Sequence, residues 1–132
     1  MDFDQLFPGR FIKAGELNGK DVTLTIDSIR LEELPSDKGG EKTRGVIAFK
    51  QTKKEWVLNR TNAECLKGMW GRDTDNWIGK RVTIYPAEWN GEPCIRVKGS
   101  PDLEKPVDVE VKLPKRKPVI MKMQATGKKE AA

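Results

Sequence analysis

Val22, Leu24 and Ile26 alternate with Asp21, Thr23 and Thr25, the two-residue period of a strand with one buried face. Beyond Ile26 the phase slips, and Ile29 and Leu31 become the apolar positions. One extra residue near Asp27-Ser28 predicts a β-bulge inside a long first strand, Lys20 to Leu34. A strand bent in this way serves two sheet faces, as a small closed barrel requires. Pro35 to Lys42 is polar and rich in turn formers, which predicts a loop. Gly45 to Lys50 and Glu55 to Leu58 predict the second and third strands, joined by the turn Gln51-Thr52-Lys53-Lys54. Arg81 to Tyr85 and Cys94 to Lys98 predict the fourth and fifth, and Asn90-Gly91 between them is a strong hairpin signal. Residues 1–19 read as an irregular lead-in with an extended piece at Arg10 to Lys13. Its Phe3, Leu6, Phe7, Phe11, Ile12 and Leu17 are expected to cover one end of the core.

The period changes once, between the third and fourth strands. Thr61-Asn62-Ala63-Glu64 matches a capping box, in which the Thr61 hydroxyl accepts from the third helical amide and Glu64 reaches back. The helix it opens carries Cys65, Leu66, Met69 and Trp70 on one side, and Gly71 stops it. Asp73 to Asn76 then reads as a turn leading to Trp77, a packing anchor. The order β-β-β-α-β-β predicts an all-β fold, a five-stranded OB barrel whose bottom the helix plugs. From Gly99 the character shifts. Pro101, Pro106, Pro114 and Pro118 interrupt a segment without aromatic residues, and Lys112 to Lys129 contains no acidic residue. This predicts a domain over residues 1–100 and a disordered basic tail over 101–132, with a short extended piece at Val107 to Val111.

Composition narrows the function. With 132 residues, 36% hydrophobic and 34% charged, the chain holds one core, and its net charge of +5 favours polyanionic partners. No apolar run is long enough to span a bilayer, and MDFDQLFPGR lacks the apolar segment of a signal peptide, so a cytoplasmic setting is expected. Cys65 and Cys94 fall on a helix and a strand, where buried thiols are favoured over a disulfide. The chain has no histidine, which removes imidazole bases, triads and His-ligated metals. Two cysteines cannot build a structural zinc site, and Gly39-Gly40 lacks the spacing of a phosphate-cradling loop. Asp73 and Asp75 fit turn formation better than metal binding. No enzyme, cofactor or metal site is expected.

The runs VLNRTNA, DTDNWIGKRVTIYP and GEPCIRVK resemble a family of small phage and prophage proteins, over about residues 10–98. Members are described as OB-like single-stranded-DNA-binding proteins of replication and recombination modules. The resemblance implies that activity here, in a host-cell cytoplasm. The shared residues Asn59, Thr61, Asn62, Trp77, Gly79 and Lys80 read as caps and turn-setters rather than ligand contacts.

On such a barrel the usual binding surface is the outer face of strands two and three with its flanking loops. Arg44, Lys50, Lys53 and Lys54 are the candidate phosphate partners there, and Phe49, Trp56, Tyr85 and Trp89 the candidate base platforms. Burial in the core competes evenly with binding for Phe49 and Trp56. Trp89 sits in a polar turn and is the sharpest candidate. Arg96 and Lys98 project from strand five and extend the basic track. The leading expectation is sequence-tolerant binding of single-stranded DNA, with RNA also open. The alternative is a protein-interaction module docking onto a replication or recombination enzyme. A third is duplex binding through the tail alone, by sequence-independent phosphate contacts. Monomer and homodimer both stay open.

Overall fold

A computed structural model describes residues 9–36 and 39–127. The lead-in residues Phe3, Leu6, Phe7 and Pro8, the loop residues Asp37 and Lys38, and Lys128 and Lys129 lie outside the described residues. Strand β1 spans Val22–Pro35 and carries the predicted bulge, seen as a register shift between Ile26 and Ser28. The bulge divides the strand's partners. Val22 to Thr25 pair with β4 (Arg81–Trp89), whereas Ile26 to Pro35 pair with β2 (Glu41–Phe49). Leu24 and Ile26 are buried; of the apolar positions after the slip, Ile29 is half-buried and Leu31 is exposed.

Strand β3 is short, Glu55–Val57, and leads directly into helix α1, Arg60–Trp70. The capping box expected at Thr61 does not form. Asn59 caps the helix instead, its side chain accepting from the Asn62 amide at 2.8 Å. Both residues suit a cap, and packing decides between them. A start at Asn59 lets Leu58 stay in the core and turns Asn62, Cys65 and Leu66 inward at helical spacing. Glu64 is then free of capping and is held by Arg60 and Lys67, one turn away on either side. Trp77, in a short 3-10 turn at Thr74–Trp77, is buried as expected, and its indole N–H donates to the Gly71 carbonyl at 2.9 Å.

Strand β5 spans Glu92–Ser100 and forms the predicted hairpin with β4. Asn90 (φ 51°) and Gly91 (φ 80°) both take the left-handed conformation that a two-residue turn of this twist demands. Ile95 and Val97 point into the core, as their alternation predicts.

Two expectations fail. The sheet is not a five-stranded barrel but a seven-stranded open one, in the order β3-β2-β1-β4-β5-β7-β6. The segment expected as a disordered tail supplies the two extra strands, β6 (Val107–Val111), which coincides with the extended piece expected there, and β7 (Val119–Ala125). Val109, Val111 and Met123 are buried in the same core as Ile84 and Val97, so no domain boundary falls near residue 100. Helix α1 rests on β6, where a Cβ at Gly68 would lie 2.4 Å from a Val109 methyl.

The barrel stays open because both edges of its seam are already engaged. On the β3 side the lead-in adds a parallel bridge. The Ile12 amide donates to the Glu55 carbonyl at 2.8 Å, and the Glu55 amide to the Arg10 carbonyl at 3.0 Å. On the far side, the end of β5 pairs in parallel with β7 through Gly99 and Ser100. A side chain at Gly99 would strike the Gln124 backbone, at 2.0 Å. Along the rest of the edge, hairpin geometry turns the backbone of Pro93, Ile95 and Val97 away from β4. Proline has no N–H to offer there, and the Asn62 side-chain amide donates to the Ile95 carbonyl at 2.8 Å. The helix thus supplies by side chain one bond that a closing strand would supply by backbone.

Candidate nucleic-acid interface

The surface first favoured by the strand pattern is largely neutralised. Arg10 and Arg30 interleave with Glu32 and Glu55, at N–O separations of 2.5–3.1 Å. Two guanidinium groups and two carboxylates cancel. Hydrogen bonds from Arg10 and then Arg30 hold the Glu32 carboxyl down at about 2, and Arg30 above all lowers that of Glu55. Arg44 faces Glu32 across the β1–β2 ladder. Lys54 is half-buried and paired with Glu16, which leaves Lys50 and Lys53 as exposed cations at the β2–β3 turn, without an ion-pair partner among the described residues.

Phe49 and Trp56 are not base platforms. They are 5% and 2% exposed and stack on each other with ring centroids 6.2 Å apart. Ile47 lies opposite Trp56 in the ladder, so β2 and β3 turn the same face inward and both rings follow it into the core.

The remaining aromatic candidates come together on the β4–β5 ribbon. Tyr85, Ala87 and Trp89 share one face of β4 by the strand period. Arg96 lies directly opposite Tyr85, and Cys94 opposite Ala87. Tyr85 and Arg96 are half-buried, and Trp89 is 45% exposed at the hairpin tip. One guanidinium nitrogen of Arg96, Nη1, is buried with no hydrogen-bond partner. Lys98 sits at a bulge between the paired residues Val97 and Gly99, and its ammonium meets Asp21 at 2.5 Å.

The strongest cationic feature at this face was missed in the site expected from sequence, because it belongs to the supposed tail. The β6–β7 loop brings the Arg116 guanidinium to 4.7 Å from the centre of the Trp89 ring. Lys115, Arg116 and Lys117 are exposed and have no ion-pair partner among the described residues, and Lys112 has only Glu110, at 3.7 Å. The basic run itself was the available signal. Its proximity to Trp89 follows only once Val107 to Val111 is paired with a further strand, β7, so that the loop between them is placed.

Neither cysteine is in a disulfide, and the Cys65 thiol donates to the Met121 sulfur at 3.9 Å. Cys65 is buried, which pushes its pKa up to about 11, and Cys94 is half-buried. Asp73 uses its carboxylate locally, accepting from the Asp75 amide at 3.0 Å. A cleft of about 610 Å³ opens at the unclosed seam between the lead-in, Trp56 and Cys94. Compared with family models, curated proteins and solved structures, the chain matches none.

Proposed function

We propose that this chain binds single-stranded nucleic acid with little sequence preference, through the outer face of β4–β5 and the β6–β7 loop. The observation that carries the reading is the exposed Trp89 ring beside Arg116, in a loop whose Lys115 and Lys117 lack acidic partners among the described residues. Single-strand binding combines flat rings for bases with cations for the backbone, and this face supplies both. The face of β2–β3 offers no exposed ring, since Phe49 and Trp56 are buried, and the neighbouring Arg10 and Arg30 are paired with Glu32 and Glu55. Lys50 and Lys53 contribute only long-range attraction. The reading assigns binding without catalysis. The likeness of VLNRTNA and its companion runs extends it to a small phage-type protein of a replication or recombination module.

A second reading has one observation in its favour. Val119 and Ile120 on β7 are exposed apolar side chains, at 56% and 62%, and suit a protein partner such as a replication or recombination enzyme. The two readings separate in a binding assay with oligo-dT, oligo-U and duplex over a salt series. Nucleic-acid binding predicts steep weakening with salt and single strands ahead of duplex. Absence of binding to all three would remove the first reading and leave the second.

A further inference from the structure

Behind the Trp89 platform, on the same ribbon, lies a second cleft of about 350 Å³ between β4–β5 and β7. Tyr85 forms one wall, Met121 borders it above the buried Val97 and Met123, and Lys98 and Gln124 bring polar groups. It exists because β5 and β7 pair only at their ends, through Gly99 with Gln124 and Ser100 with Ala125. Toward the hairpin tip the two strands have no mutual pairing, and the space between them stays open. Thr83, which shares the Tyr85 face of β4, closes one end through a 2.7 Å bond to Thr126. The Arg116–Trp89 pair lies farther along the same ribbon, at the hairpin tip.

We infer that this cleft is a nucleobase pocket, taking one unstacked base of the strand whose neighbour rests on Trp89. The inference rests on the single-strand reading above. An aromatic wall and an exposed amide suit a flat heterocycle with hydrogen-bonding edges, since Tyr85 offers a ring to pack against and Gln124 offers both a donor and an acceptor. Tyr85 and Trp89 are four strand residues apart, roughly 13 Å along β4, a separation that a splayed single strand spans within a few nucleotides. Arg96, opposite Tyr85, is half-buried and adds positive charge to the same face of the ribbon, while its Nη1 is shut away from solvent. The lysines at the cleft are less available, because Lys98 is held by Asp21 and Lys122 lies 4.0 Å from Asp108. The pocket therefore reads the base, and the loop cations hold the backbone.

The test uses the isotope-labelled full chain and an oligo-dT of about 12 nucleotides, a length within single-strand site sizes, beside an abasic strand of the same length. Amide shifts at Met121 to Gln124 are expected with oligo-dT and not with the abasic strand. Gln124→Ala, an exposed position, and Tyr85→Leu should each weaken oligo-dT binding, by up to about tenfold, with the salt slope unchanged. Gln124→Ala decides the matter if Tyr85→Leu lowers the melting temperature. Oligo-dT that binds and quenches Trp89 while Met121 to Gln124 stay silent would overturn the pocket and spare the single-strand reading. Equal shifts from the abasic strand would also overturn it, as a phosphate contact. Oligo-dT that does not bind at all would remove both.

Discussion

Replacing Asn62 tests how the open seam is held. The side chain is 1% exposed and donates to the Ile95 carbonyl at 2.8 Å, while its own Oδ1 has no partner. Asn62→Ala strands the Ile95 carbonyl, and a buried acceptor left unsatisfied costs about 1–3 kcal/mol. Two features pull the figure toward the low end. The substitution also removes the unpaired Oδ1, and Ile95 borders the seam cleft, from which water reaches the edge. The cap is untouched, because it uses the Asn62 backbone amide. We therefore expect Asn62→Ala to lose about 1–2 kcal/mol in urea unfolding, with the m-value unchanged. Asn62→Asp removes the donor and sets a carboxylate against a carbonyl, so it should cost more at neutral pH. Burial raises the folded-state pKa of that carboxyl above its unfolded value, so the deficit should shrink as pH falls and the protonated acid donates again. If both variants unfold like the parent at neutral pH, Asn62 does not hold the seam.

Three further outcomes follow from the same structure. Asn59→Ala should destabilise the domain by about 0.5–2 kcal/mol in denaturant titration, and Thr61→Ala by less, because Asn59 is the cap. A chain ending at Ser100 should fail to unfold cooperatively, since it lacks the buried Val109, Val111 and Met123; a sharp melting transition for it would refute the shared core. Glu32 has a folded pKa of about 2 against an ordinary 4.5, so its stabilising contribution is present above about pH 4.5 and lost as pH falls toward 2. The parent should therefore lose more melting temperature across that window than Glu32→Gln does.

Local signals in the chain were legible where one residue decides the geometry. The phase slip after Ile26 marked the bulge, Asn90-Gly91 marked the hairpin, and alternation placed Ile95 and Val97 inside. The helix was legible but its cap was not, because Asn59 and Thr61 are both good caps and only the packing of Leu58 and Asn62 separates them. Val107 to Val111 was legible as a short extended piece, but the last strand and the place of both in the core were hidden by composition. Prolines at 106, 114 and 118 punctuate the segment, and its apolar residues are valine, isoleucine, leucine and methionine without a ring. Yet Val107, Val109 and Val111 alternate with Asp108 and Glu110, which is the strand period. Barrel closure was not legible at all, since it depends on what occupies the edges of β3 and β5. At the candidate site, Trp89 was found by its polar turn, whereas Arg116 needed the tertiary fold to reach it. Phe49 and Trp56 were undecided by pattern, because β2 and β3 have two faces and only cross-strand register shows which is inward.

Tryptophan fluorescence during titration with oligo-dT bears most directly on the proposed interface. Trp56 and Trp77 are buried and Trp70 half-buried, so a bound base quenches chiefly Trp89. The account predicts saturable quenching that weakens steeply with salt. Trp89→Ala should abolish most of the quench and cost about 1–3 kcal/mol of affinity by an independent readout, with the salt slope nearly unchanged. Lys115→Ala with Lys117→Ala should lower the slope by up to about two units and keep the quench. Affinity that survives Trp89→Ala intact, with a slope indifferent to the β6–β7 lysines, would contradict the account and put the binding face elsewhere.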